Sequence, residues 1–172
     1  MLLSIEVSLY CPRFVVMDVK DGKARIIHMA VNDHLRESSM AQRNRTPVGE
    51  LLLEIAEKLE FILTAYPITN AVWSMRQLGV ANAEAAKMAL GSILLTLSQH
   101  GIHSDEMTRS RAQLYLTGTS KSDSKALRTT LAKYLTNTTE THLYPLIIGT
   151  AWYLEHQQIV HSRDLKYCET IC

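Results

Sequence analysis

Three short apolar runs rich in β-forming residues open the chain, at Leu2 to Leu9, Arg13 to Val19 and Lys23 to Val31. Lys20-Asp21-Gly22-Lys23 joins the last two, and an Asp-Gly pair suits the positive φ angles of a tight hairpin turn. The pattern predicts an antiparallel meander. From Asn32 to Arg45 the apolar period disappears (NDHLRESSMAQRNR), which reads as a long exposed loop carrying Arg36, Arg43 and Arg45. Thr46-Pro47 then has the form of an N-cap followed by a first-turn proline. Leu52, Ile55, Leu59, Ile62 and Leu63 recur at helical spacing as far as Tyr66-Pro67, predicting an amphipathic helix with one buried face.

Asn70 to Met75 predicts a short strand, Asn82 to Gln99 a helix rich in Ala and Leu, and Gly101-Ile102 to Met107 a further strand. A turn at Gly118 leads into a helix over Lys125 to Leu135. Pro145 places the start of a last apolar helix within a turn of itself, because an interior proline removes a backbone hydrogen bond and clashes with the preceding turn. Three strands, a helix, a strand, a helix, a strand and then helices make an α/β chain, with a central mixed sheet flanked by helices. Residues 1–172 are read as a single domain, with 157–172 a C-terminal tail.

Composition narrows the classes. With 172 residues, 47% of them hydrophobic and 20% charged, the chain suits one domain with a full core. Eighteen Lys and Arg stand against 17 Asp and Glu, a formal charge of +1, so any nucleic-acid contact must come from a local patch rather than a global field. Cys11, Cys168 and Cys172 are too few and too uneven for a disulfide framework, and the N-terminus lacks a basic segment before a long apolar one. A soluble, intracellular protein, cytoplasmic or nucleoid-associated, is expected. No apolar run approaches a membrane span, and there is no phosphate-binding Walker loop, dinucleotide fingerprint or nucleophile triad. His156, His161, Cys168 and Cys172 are zinc-type ligands, but without a second close pair they read as part of the tail.

Two features carry candidate phosphate chemistry. The Gly118-Thr119-Ser120-Lys121 turn offers backbone amides at a helix N-terminus, flanked by Lys121 and Lys125, which is what a phosphate needs. Arg109, Arg111, Lys121, Lys125, Arg128 and Lys133 form either a solvated helix face or a phosphate-binding stripe.

From roughly Leu3 to Glu155 the chain resembles the RuvC-type Holliday junction resolvases, which are RNase H-like nucleases. That family ends its first strand in an aspartate, where Glu6 stands in Ser4-Ile5-Glu6-Val7, and its fourth in a glutamate, where Ser74 stands in Ala71-Val72-Trp73-Ser74. Its helix glycine corresponds to Gly91 or Ser92, and its Gly-x-Gly turn with a following lysine to Gly118-Thr119-Ser120-Lys121. The acidic pair that opens its last helix, the first member sometimes histidine, corresponds to His142 and Pro145.

The resemblance implies an RNase H-like mixed sheet, branched DNA as partner, a homodimer through the 82–99 helix, and Mg or Mn as cofactor if the protein is catalytically active. It implies Glu6, Ser74 and His142, with Glu140 as a recruitable acid, at the catalytic position, and Glu6 and His142 as metal ligands. For such a partner, the basic loop, the glycine turn and the basic stripe offer DNA contacts from Arg36, Arg43, Arg45, Arg109, Arg111, Gly118, Ser120, Lys121, Lys125 and Arg128. Two-metal phosphodiester cleavage needs convergent anionic ligands, and of the four matched positions Glu6 alone is acidic. Serine is a weak ligand, neutral histidine a poor one for magnesium, and proline none. Three functions therefore stand: a protein that binds branched DNA with little or no cleavage, an active divergent resolvase, and an interaction module that binds no nucleic acid.

Overall fold

In the computed structural model the chain's first tight turn falls on Asp21 and Gly22, with φ of 51° and 72°, as the Asp-Gly pair predicts. Residues 1–31, 46–75, 80–137 and 143–169 are described. Strands β1 (Leu2–Val7), β2 (Arg13–Lys20), β3 (Lys23–Val31), β4 (Asn70–Met75) and β5 (His103–Glu106) form one sheet in the order β3-β2-β1-β4-β5. The first three are antiparallel, whereas β4 and β5 add parallel to β1 and to each other. Helices α1 (Val48–Ala65), α2 (Val80–Gln99), α3 (Arg109–Thr117), α4 (Ser124–Leu131) and α5 (Leu143–Glu169) complete the chain.

Strand alternation divides the core in two. Leu3, Ile5 and Val7 of β1 pack with Leu51, Ile55, Leu59 and Ile62 of α1 and with Ala89, Ile93 and Leu97 of α2. On the opposite face Leu2, Val15, Met17 and Val72 pack with Ala112 of α3, Leu127 and Leu131 of α4, and Leu146, Ile147 and Ala151 of α5. Ser4 and Glu6 share the parity of Leu2, so both are directed to the α5 side. Ser4 donates its hydroxyl hydrogen to the carbonyl of Pro145 at 2.6 Å, which ties the start of α5 to the central strand. One turn on, Gly149 allows close approach, since a Cβ there would meet Ser4 Cβ and Met17 Cε at 3.0 Å.

Local details differ from the sequence pattern in four places. Helix α1 begins at Val48 with Pro47, rather than Thr46, in the N-cap position. Its buried seam runs Leu51-Ile55-Leu59-Ile62, leaving Leu52 and Leu63 only half-buried, because one helical face follows an i, i+4, i+8, i+11 track. The helix expected over Lys125 to Leu135 stops at Leu131: Leu135 bridges to Ala24, and the side-chain amide of Asn137 hydrogen-bonds both the N–H and the carbonyl of Ile26. The edge of β3 thereby satisfies backbone groups that would otherwise face water. Helix α5 continues to Glu169, through most of the segment read as a tail. No helix among the described residues is long and apolar enough to cross a membrane.

Candidate nucleic-acid cleft

The parallel β1–β4 register pairs Glu6 with Ser74, so the two matched strand-end positions are neighbours. Both are nearly buried, at 6% and 3% exposed. The antiparallel β1–β2 register places Arg13 on the other side of Glu6, and its Nη1 donates to Glu6 Oε2 at 2.7 Å. The carboxylate is thus held between a hydroxyl-bearing neighbour and a guanidinium on two adjacent strands.

A cleft of ≈ 890 Å³ opens beside this pair, between the ends of β1, β4 and β5 and the segment from α3 to α4. Its lining mixes polar side chains, Glu6, Ser74, Glu106, Thr108, Arg109, Gln113, Ser120, Lys121, Ser122 and Asp123, with Met75 and with Tyr144 and Ile148 of α5. Tyr144 and Ile148 are one turn apart and therefore share a face of α5. Pro145 is instead buried against Ser4. The cleft-facing positions of α5 are accordingly tyrosine and isoleucine, not the residue that the sequence match pairs with His142.

The basic candidates separate. Arg109 leans over the Tyr144 ring, with its guanidinium carbon 3.6 Å from the ring centroid, and donates to the Tyr144 hydroxyl, which fixes it at the cleft wall. Ser120 and Lys121 also line the cleft. Arg111 does not, because it pairs with Glu155 of α5 at 2.6 Å. Lys125 is exposed on α4, and Arg128 lies in the last turn of the same helix. The six basic residues proposed as one stripe are therefore split between the cleft and helix surfaces outside it. Arg36, Arg43, Arg45, Glu140 and His142 lie outside the described residues.

The Gly118 turn has a different role from the one its spacing suggests. Gly118, at φ 75°, is the C-cap of α3, and its N–H bonds the carbonyl of Leu114. The N-terminus of α4 is capped by Asp123, whose carboxylate accepts from the Ala126 N–H at 2.7 Å. That carboxylate occupies the place an anion would take at this helix end. Thr117 Oγ1 and Thr119 Oγ1 accept from the N–H groups of Thr119 and Lys121, both at 3.4 Å. At this turn it is the side chains of Ser120, Lys121 and Ser122 that line the cleft.

The sequence pattern missed Arg13, Glu106, Gln113, Tyr144 and Ile148. Arg13 and Glu106 become visible only once strand register is known. Among the described residues no group of three His, Cys, Asp or Glu side chains is placed to hold a metal ion. His156, one of the zinc-type residues, stacks on Trp152 with ring centroids 3.9 Å apart, and its Nε2 lies 3.7 Å from Asp105 Oδ2. The side chains of His161, Cys168 and Cys172 lie outside the described set.

No protein-family model and no curated protein sequence matches the chain. Solved structures do. Thermus thermophilus RuvC superposes with a TM-score of 0.72 at 16% identity, over 91% of this chain and 95% of that one. The same protein in complex with Holliday junction substrate gives 0.73 at 17% identity, over 87% and 90%. The yeast mitochondrial Holliday junction resolvase gives 0.69 at 9% identity, over 99% and 84%. The chain has a RuvC-like, RNase H-like fold, and the likeness is one of fold.

Proposed function

We propose that this protein binds branched DNA through the cleft beside Glu6 and Ser74, and cleaves it weakly or not at all. The fold supports a DNA partner: a RuvC of the same architecture is found in complex with Holliday junction substrate. The observation that carries the reading is the 2.7 Å ion pair between Arg13 and Glu6. Two-metal hydrolysis needs several anionic ligands converging on the scissile phosphate. Here the one acid at a matched position is compensated by a guanidinium, its neighbour is Ser74, and α5 offers Tyr144 and Ile148. Arg109 and Lys121 are the backbone contacts, with the arginines of the 36–45 loop in support. A DNA partner implies an intracellular site of action, in the cytoplasm or at the nucleoid.

Assembly as a homodimer through α2 belongs to the same proposal. Ala86 and Ala89 are buried in the chain's own core, whereas Met88, Gly91 and Leu95 form an exposed face on the opposite side of the helix. That face would meet a second copy.

A second reading, a divergent active resolvase using Mg or Mn, is favoured by one observation: Glu106 and Asp123 line the same cleft as Glu6. Glu140 and His142 would then complete the ligand set at the entry to α5. Labelled four-way junction, duplex and single strand, each with and without Mg²⁺ or Mn²⁺, separate the two. Retention of the junction without nicking supports the first reading, and nicking abolished by Glu6→Gln supports the second. Equal indifference to all three DNAs would leave an interaction module without a nucleic-acid ligand.

A further inference from the structure

A carboxylate as enclosed as Glu6 needs a positive partner, because a buried anion without one is strongly disfavoured. In a metal-dependent nuclease a divalent ion meets that need. The donors of this cleft do not fit such an ion among the described residues. Glu6 is already engaged, Asp123 is spent on capping α4, Glu106 stands at the end of the edge strand β5, and no three ligands converge. Arg13 sits on a strand, opposite Glu6 in register, with its side chain only 21% exposed, so its position is set by the sheet rather than by a loop.

We infer that Arg13 replaces the divalent cation at this end of the sheet, compensating Glu6 so that the cleft accepts a DNA phosphate without recruiting metal. With Arg13 in place the charges around the cleft balance: Arg13, Arg109 and Lys121 against Glu6, Glu106 and Asp123. Without it, the bare Glu6 carboxylate would repel an incoming phosphate and would become available to a cation. Arg13 acts through Glu6 and is a positioning residue. The inference rests on the branched-DNA reading for its ligand, but its chemistry can be tested without DNA.

The test is a Mn²⁺ titration followed by electron paramagnetic resonance, with thermal unfolding in parallel, on the full chain. Wild type and Arg13→Lys are expected to take up no Mn²⁺ and to keep their Tm when it is added. Arg13→Met is expected to bind Mn²⁺ measurably more tightly than wild type, through the freed Glu6 carboxylate, and to gain Tm with it. Arg13→Met combined with Glu6→Gln should do neither. Junction affinity should be equal in EDTA and Mg²⁺ for wild type. It should fall about tenfold in EDTA for Arg13→Met, and recover with Mn²⁺ or with Glu6→Gln.

Stoichiometric Mn²⁺ uptake by wild type that disappears in Glu6→Gln would overturn the inference, and this comparison holds even if Arg13→Met fails to fold. Folded Arg13→Met that binds Mn²⁺ no better than wild type would overturn it equally. Loss of all junction binding, in every variant and condition, would instead overturn the DNA reading and leave the Mn²⁺ titration to judge Arg13.

Discussion

Arg13 and Glu6 face each other across the β1–β2 register, with Nη1 2.7 Å from Oε2. The pair sits where β1 reaches the cleft, so the proposed reading makes one contact bear on stability, metal affinity and DNA binding together. Arg13→Met should cost about 3 kcal/mol of stability, because it strands a buried carboxylate. Adding Glu6→Gln should restore most of that loss. Urea unfolding of the two single variants and the double variant measures the coupling, and additive losses would mean that the pair is not energetically linked.

Lys121 and Lys125 should no longer behave alike. Lys121 lines the cleft, whereas Lys125 is exposed on α4 outside it. Lys121→Ala is expected to weaken junction binding and to flatten its salt dependence by about one unit, the signature of one lost phosphate contact. Lys125→Ala should change the slope little. Fluorescence anisotropy across a salt series distinguishes them, and the reverse order would place the DNA on the α4 surface.

Two glycines should respond in opposite ways. At Gly149 a Cβ would press on Ser4 and Met17 at 3.0 Å, so Gly149→Ala should destabilise by about 1–3 kcal/mol and shift α5 relative to the cleft. At Gly91 nothing lies within 4 Å, and Gly91→Ala should stabilise the chain by up to about 1 kcal/mol through helix propensity. If α2 is the dimer face, the same change weakens self-association. Thermal unfolding and sedimentation velocity on each variant separate these effects.

Tyr115 gives a pH signature away from the cleft. Its hydroxyl is buried with no hydrogen-bond partner among the described residues, and burial, reinforced by Glu155 and Tyr134, raises its pKa above the ordinary 10.0. The folded state therefore holds this proton more tightly than the unfolded chain does. The associated stability is fully present below the ordinary phenol value and is lost as pH rises through the folded one. Tyr115→Phe should be neutral or stabilising at pH 8, and should remove this part of the loss at alkaline pH. Denaturant midpoints of both proteins from pH 8 to 11 provide the check.

The sheet was legible because its signals are local: the Asp21-Gly22 turn, the apolar runs and the helical spacing of α1 each needed only a short window. The adjacency of Glu6 and Ser74 was implied by the family resemblance, whose matched order of elements and spacings sets both at strand ends. Arg13 stayed hidden because its meaning depends on how β1 and β2 align across residues 8–12, and a one-residue slip would send it to the opposite face. Tyr144 and Ile148 were missed for a related reason. Pro145 locates the start of α5 only to within a turn, and each residue of uncertainty rotates the helix by about 100°. The Gly118 turn was ambiguous because a glycine followed by polar residues and a lysine describes a helix C-cap as well as a phosphate loop; Gly118 is the C-cap of α3 and Asp123 the N-cap of α4.

The central claim is tested most directly by incubating the purified protein with an end-labelled four-way junction and matched duplex in Mg²⁺ and in EDTA, following binding and strand integrity in one experiment. The account predicts a junction-selective complex of equal affinity in both conditions, with the strands intact. Efficient nicking of the junction in Mg²⁺, abolished by Glu6→Gln, would contradict it.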